Sequence, residues 1–230
     1  MDPDTQAAAV ILAAGAGRRL GAEVPKAFLG IGDRPMLAVA AAAAAASPAI
    51  AAIVVTAPPG YADAAQACLE GLPVPATVVD GGATRQASVR AALAVLEGPQ
   101  IVAIHDAARP FAPPDLFTEV VRVVAGGADG AIPVVAASDT VKRLDGLRVV
   151  ETIPRDDLGL AQTPQAFRVA ALRAAHEEAI RAGYDVTDDA MLLEQMGAVI
   201  AVPGDPRNFK ITTLLDLARA ESRIGGAVDA

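Results

Sequence analysis

The stretch AAVILAAGAGRRL at residues 8–20 decides the fold. Its first part, residues 8–14, is apolar without interruption, which is typical of a strand covered by helices on both faces. Gly15 and Gly17 follow at once, and then a pair of arginines. Glycine lets a backbone approach a phosphate closely, and the N–H groups of a turn bind oxyanions. The stretch therefore predicts a buried strand that leads into a phosphate-binding loop.

Similar apolar runs recur along the chain, separated by helical segments. Further strands are predicted over residues 50–57, 77–80, 101–105, 131–136 and 198–202. Helices are predicted over residues 35–46, 61–69, 84–96, 114–125 and 168–182. Thr213 and Asp216 have the spacing of a capping box, which predicts the start of a last helix. This alternation indicates an α/β fold with a doubly wound, mostly parallel sheet, in which ligands bind beyond the carboxyl ends of the strands.

One segment breaks the alternation. Residues 141–152 have the sequence VKRLDGLRVVET, with Asp145 and Gly146 between two strand-like halves, which is a strong signal for a tight β-hairpin. Because its charged residues suit a core poorly, we expect an arm, over about residues 138–156, that projects from the domain.

The glycine loop after the first strand lacks the features of two common nucleotide-binding motifs. A dinucleotide-binding fingerprint needs a third glycine where this chain has Leu20, and a phosphate-loop NTPase needs Gly-Lys-Ser or Gly-Lys-Thr. What remains is a glycine loop with Arg18 and Arg19, followed by Pro25 and Lys26. Nucleotidyl transfer needs cations placed where negative charge develops. The alternative is a surface turn with solvated arginines.

Two further motifs lie at predicted strand ends. GGATRQAS at residues 81–88 places a pair of glycines after a strand and Ser88 in the next helix, although a plain β–α turn has the same pattern. HDAARP at residues 105–110 places a carboxylate and an arginine at a strand end, which suits a metal–phosphate substrate. Asp106 is the candidate ligand for Mg²⁺ or a ribose. His105 has no obvious nucleophile as partner, and we interpret it as structural.

Four short polar groups late in the chain are weak signals individually. They are Arg155, TPQ at residues 163–165, TDD at residues 187–189 and NFKI at residues 208–211. Thr187 also suits a helix cap, and Lys210 also suits an ordinary surface lysine.

The composition bounds the class of protein. The chain has 230 residues, of which 53% are hydrophobic, so we expect one domain over residues 1–230 with a sizeable core. A formal net charge of −8 argues against binding to nucleic acid or to an anionic membrane. Cys68 is the sole cysteine and the N-terminal segment does not resemble a signal peptide, so we expect a cytoplasmic protein.

Together these residues resemble one family, the 2-C-methyl-D-erythritol 4-phosphate cytidylyltransferases of the non-mevalonate isoprenoid pathway. The likeness covers residues 13–212, nearly the whole chain, with the motifs in the same order. The matching motifs are the glycine loop with its arginines, Pro25-Lys26, HDAARP, Asp139-Thr140 with Lys142-Arg143, TPQ, Thr187-Asp188 and Asn208 to Lys210. As a set they are highly specific.

The resemblance implies a transferase that joins CMP from CTP to the phosphate of 2-C-methyl-D-erythritol 4-phosphate and releases pyrophosphate, with Mg²⁺ as cofactor. The residues implied in CTP binding are Ala13, Ala14, Gly15, Gly17, Arg19, Lys26, Gly82, Ser88 and Asp106. Asp106 is also the implied metal ligand. Those implied in acceptor binding are Arg109, Thr140, Arg155, Thr163, Thr187 and Lys210. The implied catalytic residues are Arg19 and Lys26 at the α-phosphorus, with Arg155 and Lys210 positioning the acceptor.

The resemblance also implies a homodimer whose hairpin arms cross, so that Thr140 and Arg155 serve the partner's site. Ala83 stands where the family often has an acidic residue, and one contact with the base is therefore expected to differ. Some members carry a second enzyme domain at the C-terminus, which we do not expect in a chain that ends at Ala230.

The motifs leave two alternatives open. One is a cytidylyltransferase of the same fold that acts on another polyol phosphate, such as ribitol 5-phosphate. The other is a non-catalytic nucleotide-binding protein, against which the set of Arg19, Lys26, Asp106 and Lys210 argues.

Overall fold

The computed structural model describes residues 6–15, 24–194 and 197–225. The strands are β1 (Ala7–Leu12), β2 (Gly30–Ile31), β3 (Arg34–Pro35), β4 (Ile50–Ala57), β5 (Ala76–Asp80), β6 (Ile101–Asp106), β7 (Gly130–Ala136), β8 (Val141–Asp145), β9 (Arg148–Ile153), β10 (Gly159–Ala161), β11 (Gln165–Arg168) and β12 (Val199–Pro203). The helices are α1 (Met36–Ala45), α2 (Ala62–Ala67), α3 (Arg85–Val95), α4 (Pro114–Ala125), α5 (Val169–Ala182), α6 (Ala190–Leu193) and α7 (Leu214–Gly225).

An eight-stranded central sheet has the order β10-β7-β11-β6-β1-β4-β5, with β12 beside β7. Strand β1 pairs in parallel with β4 and β6, β4 with β5, and β7 with β12. Strand β11 runs antiparallel between β6 and β7, and β10 runs antiparallel along β7. The sheet is mixed but mostly parallel, and the predicted α/β class is confirmed.

The uninterrupted apolar character of β1 follows from burial on both faces. Ala7, Ala9 and Ile11 belong to the core beneath α1 and α4, whereas Ala8 and Val10 belong to the core beneath α3 and α5. Helices therefore cover the sheet on both sides, which is the doubly wound arrangement that the sequence predicts.

The predictions missed elements that are short. Strand β11 occupies Gln165–Arg168, and the helix predicted from residue 168 begins one residue later, at Val169. The three residues of β10, Gly-Leu-Ala, are all exposed, so this strand does not show the burial that an apolar run normally indicates. Elements of two to four residues are too short to show a periodic pattern.

The predicted arm is a two-stranded sheet separate from the central one. Strands β8 and β9 pair antiparallel, and Gly146 between them has a φ of 57°, in the left-handed region that glycine favours. Leu147 at the tip is fully exposed, and Leu144, Val149 and Val150 are also mostly exposed. The arm therefore presents apolar side chains that the described part of the chain leaves exposed.

The capping box before the last helix is confirmed. The N–H of Asp216 donates to Thr213 Oγ1 over 3.2 Å, and the N–H of Thr213 donates to Asp216 Oδ2 over 2.8 Å. Within the described ranges, the helices all fall short of the length and apolarity needed to cross a bilayer.

Candidate active site

A cavity of about 350 Å³ lies beyond the carboxyl ends of β1, β5 and β6. All described members of the predicted CTP-binding set line it, namely Ala13, Ala14, Gly15, Lys26, Gly82, Ser88 and Asp106. Lys210, predicted to position the acceptor, lines it too. Gly17, Arg18 and Arg19 lie outside the described residues, so their contacts stay predictions. The cavity position is the one that a parallel sheet favours for ligands.

Asp106 is the last residue of β6, and its carboxylate lies between two cationic side chains of the cavity. Lys210 Nζ lies 2.6 Å from its Oδ2, and Arg85 Nε lies 3.6 Å from its Oδ1. Burial by itself raises the pKa of Asp106, but the neighbouring Lys210 and Arg85 outweigh burial and hold that pKa well below its usual range. Asp106 is therefore a carboxylate at neutral pH, able to accept hydrogen bonds from hydroxyls or to bind a hard cation.

A buried hydrogen-bond network fixes the backbone of Asp106. Its N–H donates to Thr163 Oγ1 over 3.0 Å, and the Thr163 hydroxyl lies 3.0 Å from His105 Nδ1. His105 Nε2 lies 3.1 Å from the carbonyl oxygen of Arg109 and must donate to it, because a carbonyl only accepts. Nδ1 is then the acceptor for the Thr163 hydroxyl. His105 thus supports the strand end, as a structural interpretation requires.

Complete burial keeps His105 neutral. Its side chain is 0% exposed, and burial lowers its pKa from 6.5 to about 4, although Asp106 acts in the opposite direction. A neutral imidazole with hydrogen on Nε2 is the form that the two hydrogen bonds require.

The loop after β5 approaches its neighbours too closely for side chains. A Cβ built on Gly81 would lie 2.2 Å from the Cβ of Ala14, and one on Gly82 would lie 2.4 Å from the Cβ of Ala87. The N–H of Gly82 donates to Ser88 Oγ over 3.1 Å. The Ser88 hydroxyl in turn donates to the carbonyl oxygen of Thr84 over 3.0 Å. Ser88 therefore holds the loop that forms one wall of the cavity, and its contact with CTP stays a prediction.

Two of the predicted acceptor residues are engaged within their own chain. Arg109 donates to the carbonyl oxygens of Asn208, over 2.8 Å, and Ala161, over 3.2 Å, and its burial lowers its pKa. Thr163 is buried with its hydroxyl shared between Asp106 and His105. Both residues shape the site from behind the cavity, and their contact with an acceptor stays a prediction.

The remaining acceptor candidates lie outside this cavity. Thr140, Arg155 and Thr187 are exposed, and they are not among the residues lining the cavity of their own chain. The Arg155 guanidinium donates to the carbonyl oxygen of Ser138 at the base of the arm. The described chain alone therefore does not assemble the whole predicted acceptor site.

Sequence reasoning missed Arg85 and gave Asn208 no role. Arg85 opens α3, lines the cavity and contacts Asp106. Asn208 is completely buried, and its Nδ2 donates to the carbonyl oxygen of Thr163 over 2.8 Å. A signal existed for Arg85, because an arginine in the first turn after a glycine pair at a strand end must lie near that end.

Comparison with known proteins assigns the chain to a protein family. The profile of the IspD family, 2-C-methyl-D-erythritol 4-phosphate cytidylyltransferase, matches residues 7–225. The chain belongs to this family. The enzyme of that name from Corynebacterium diphtheriae is 41% identical over 223 residues, which are 93% of this chain and 91% of the relative. Membership makes the chain a nucleotidyltransferase of the cytidylyltransferase type.

A bifunctional relative and two solved structures agree with the family assignment. The bifunctional enzyme IspD/IspF of Rhodopseudomonas palustris is 43% identical over 99% of this chain, and the chain spans 58% of that protein's length. The 4-diphosphocytidyl-2C-methyl-D-erythritol synthase of Anaerococcus prevotii superposes with a TM-score of 0.85 at 29% identity, covering 96% of this chain and 99% of the other. The 2-C-methyl-D-erythritol 4-phosphate cytidylyltransferase of Thermus thermophilus has a TM-score of 0.78 at 35% identity, covering 95% and 98%.

Proposed function

We propose that this chain transfers CMP from CTP to the phosphate of 2-C-methyl-D-erythritol 4-phosphate, releasing pyrophosphate, in the non-mevalonate isoprenoid pathway. The observation that carries the proposal is the cavity in which Asp106 lies between Lys210 and Arg85, with Lys26 on the same lining. A triphosphate needs such a concentration of cations, and a ribose needs an accepting carboxylate. Family membership supplies the identity of both substrates.

The chemistry needs no nucleophile from the protein. The acceptor's phosphate is already ionised and attacks the α-phosphorus of CTP in line, one P–O bond forms, and the bond to pyrophosphate breaks. Lys26 and Arg19 stabilise the charge that grows on the α-phosphate oxygens and on the leaving group. Lys210 orients the attacking phosphate, so positioning and electrostatics account for the rate.

The nucleotide's base lies, in this proposal, against the loop that Ser88 supports. The close approach of Gly81 to Ala14 and of Gly82 to Ala87 leaves no space for a side chain at either glycine. The backbone N–H groups of Ala14, Gly15 and Gly17 bind the triphosphate in this proposal. Ala13, whose N–H donates to the carbonyl oxygen of Thr56 over 2.9 Å, lines the same wall of the cavity. Ala83 provides no charged contact at the base, so discrimination falls to backbone groups and to the width of the slot.

A divalent cation fits this site. Of the described lining residues, Asp106 is the one carboxylate, and its lowered pKa keeps it ionised. The described residues contain no cluster of three or more His, Cys, Asp or Glu side chains that could hold a metal ion without help from a substrate. Mg²⁺ commonly binds through one or two carboxylates together with substrate phosphates. Bound to Asp106 and the triphosphate, Mg²⁺ would neutralise charge on the departing pyrophosphate.

The acceptor site is completed, in this proposal, by a second copy of the chain. The exposed Leu144, Leu147, Val149 and Val150 give the arm an apolar surface that a homodimer would bury. An exchanged arm brings Thr140 and Arg155 to the partner's cavity, where Arg109, Thr163 and Thr187 of the receiving chain complete the pocket. We further infer one nucleotidyltransferase domain acting in the cytoplasm, with no nucleic-acid or membrane partner.

Pyrophosphate release tests the proposal against both alternatives. The chain should release pyrophosphate when CTP and 2-C-methyl-D-erythritol 4-phosphate are both present, and much more slowly with ribitol 5-phosphate. Equal rates with the two acceptors would favour the polyol-phosphate alternative. Tight CTP binding without release, with either acceptor, would indicate a non-catalytic nucleotide-binding protein.

A further inference from the structure

Asp189 is a completely buried carboxylate just outside the nucleotide cavity. It immediately precedes α6, its side chain is 0% exposed, and it is not among the residues lining the cavity. Its Oδ2 accepts a hydrogen bond from the Arg85 guanidinium. A buried charge is costly unless it is paired, so this contact fixes both side chains.

Arg85 reaches from this buried carboxylate to the cavity. The guanidinium joins Asp189 on the inner side, and its Nε lies 3.6 Å from Asp106 Oδ1 on the cavity side. The Arg85 side chain is 24% exposed, and this exposed part lines the nucleotide cavity. A single guanidinium thus connects the cavity carboxylate with the buried one.

A second contact ties the same helix to the same loop. Gln86 is buried, and its Oε1 accepts a hydrogen bond from the N–H of Val186 over 3.1 Å. The first turn of α3 is therefore attached at two points to the loop before α6, and this loop also carries Thr187. The arrangement holds a long side chain in one conformation before any ligand arrives.

We propose that Asp189 is a positioning residue that acts through Arg85 and does not touch substrate itself. This inference rests on the proposed function, since it takes the cavity as the CTP site. A free arginine side chain loses rotamer freedom on binding a ligand, and a buried carboxylate removes that loss by ordering the side chain beforehand. Asp189 thereby strengthens CTP binding and also keeps Arg85 close to Asp106.

A purely structural role for Asp189 makes a different prediction. His176 Nε2 lies 3.5 Å from the other oxygen, Asp189 Oδ1, and both residues are buried, so the carboxylate also faces α5. If Asp189 served only to stabilise this packing, its replacement would lower thermal stability but leave CTP affinity unchanged in the folded protein. It would also act independently of Arg85.

Calorimetric titration with CTP separates the two roles, and it needs neither acceptor nor turnover. The variants are Asp189→Asn, Arg85→Ala and the double variant, with Glu119→Gln as a charge control that lies outside the cavity. We expect Asp189→Asn to raise the Kd for CTP about tenfold, a loss of about 1.4 kcal/mol. Arg85→Ala should raise it at least as much, and the double variant should match Arg85→Ala within about twofold, because one residue acts through the other.

A folding control keeps the test decisive. Each titration is made well below the thermal midpoint of the variant, and Asp189→Glu, which keeps the charge but moves it by one methylene, replaces Asp189→Asn if that variant does not fold. The glutamate variant should raise the Kd about threefold or more because the guanidinium is displaced. Wild-type Kd in the folded variant, or effects that multiply in the double variant, would overturn the proposal.

The outcome also separates this proposal from the proposed function. If the wild type binds CTP and Asp189→Asn binds it normally, only the positioning role fails. If the wild type binds CTP but releases no pyrophosphate with 2-C-methyl-D-erythritol 4-phosphate, the proposed function fails while the positioning of Arg85 stands as measured. If the wild type does not bind CTP, both are wrong.

Discussion

Lys210 Nζ lies 2.6 Å from Oδ2 of Asp106, so a residue late in the chain completes a site that begins at β1. The N–H of Ile211, the next residue, donates to the carbonyl oxygen of Ala108 over 2.9 Å, which anchors this segment beside the end of β6. The Lys210 ammonium group is thereby held at the cavity, where we expect it to contact the phosphate of the acceptor as well as Asp106.

Removing either cavity lysine should slow the reaction without unfolding the chain. Lys26→Ala and Lys210→Ala should each lower kcat by ~10²–10³, the usual loss for one preorganised charge. Arg122→Ala is the matched control, because Arg122 forms its ion pair with Glu119 outside the cavity and should keep wild-type kcat. Steady-state kinetics together with circular dichroism makes the test. Normal turnover in a folded Lys26→Ala protein would remove Lys26 from the transition state.

His105 should make stability depend on pH. Its pKa is lowered to about 4 in the folded chain against about 6.5 when unfolded, so between these values only the unfolded chain binds the proton. The free energy of unfolding should therefore fall as pH falls, by about 2 kcal/mol from this residue between pH 7 and pH 5. Denaturant unfolding at a series of pH values measures this.

His105→Asn provides the comparison for the pH series. The variant should be less stable at pH 7, because it loses the bonds to Thr163 and Arg109, but its stability should change less between pH 7 and pH 5. Parallel pH curves for variant and wild type would show that His105 does not titrate as described.

Metal removal should abolish turnover and leave the fold intact. Asp106 is ionised and lines the cavity, but both its oxygens already face cations of the protein, so an added Mg²⁺ depends on the triphosphate to bind. Excess chelator should stop pyrophosphate release, and added Mg²⁺ should restore it, while thermal unfolding without CTP stays unchanged. Full activity in excess chelator would contradict the proposed cation.

A mixing experiment tests whether each site is shared between two subunits. Lys26→Ala and Arg155→Ala should each be nearly inactive alone, since one removes a cavity cation and the other the arm's arginine. If Arg155 serves the partner's cavity, a mixed dimer has one site with both defects and one site with neither. Random pairing makes about half of the dimers mixed, so about a quarter of all sites should recover.

Recovery is meaningful only if mixed dimers form. Two affinity tags on the two variants isolate the mixed species, and Lys26→Ala with itself serves as the control. If tagged mixed dimers form and stay inactive, Arg155 acts in its own chain and the exchanged-arm proposal is wrong.

Sequence patterns correctly predicted the features that depend on contacts between residues close together in the chain. The apolar run of β1, the Gly146 turn and the Thr213–Asp216 capping box depend on residues a few positions apart, and all three are confirmed. The meeting of these motifs at one cavity was predictable, because the carboxyl ends of neighbouring parallel strands lie at the same edge of the sheet.

Contacts between residues far apart in the chain could not be predicted from such local patterns. The Arg85–Asp189 pair joins residues 104 positions apart, and nothing near either residue indicates the other. The Thr163 hydroxyl is shared between Asp106 and His105 because β11 lies antiparallel beside β6, and a strand of four residues is too short to predict from the sequence.

The linkage formed in the product tests the central claim most directly. Phosphorus NMR of a mixture of the chain, Mg²⁺, CTP and 2-C-methyl-D-erythritol 4-phosphate distinguishes a diphosphate diester from free nucleotide. We predict two coupled diphosphate resonances that grow in step with the pyrophosphate signal. One molecule of product and one of pyrophosphate should form for each CTP consumed. Unchanged CTP, or CMP and pyrophosphate without the coupled pair, would contradict cytidylyl transfer to this acceptor.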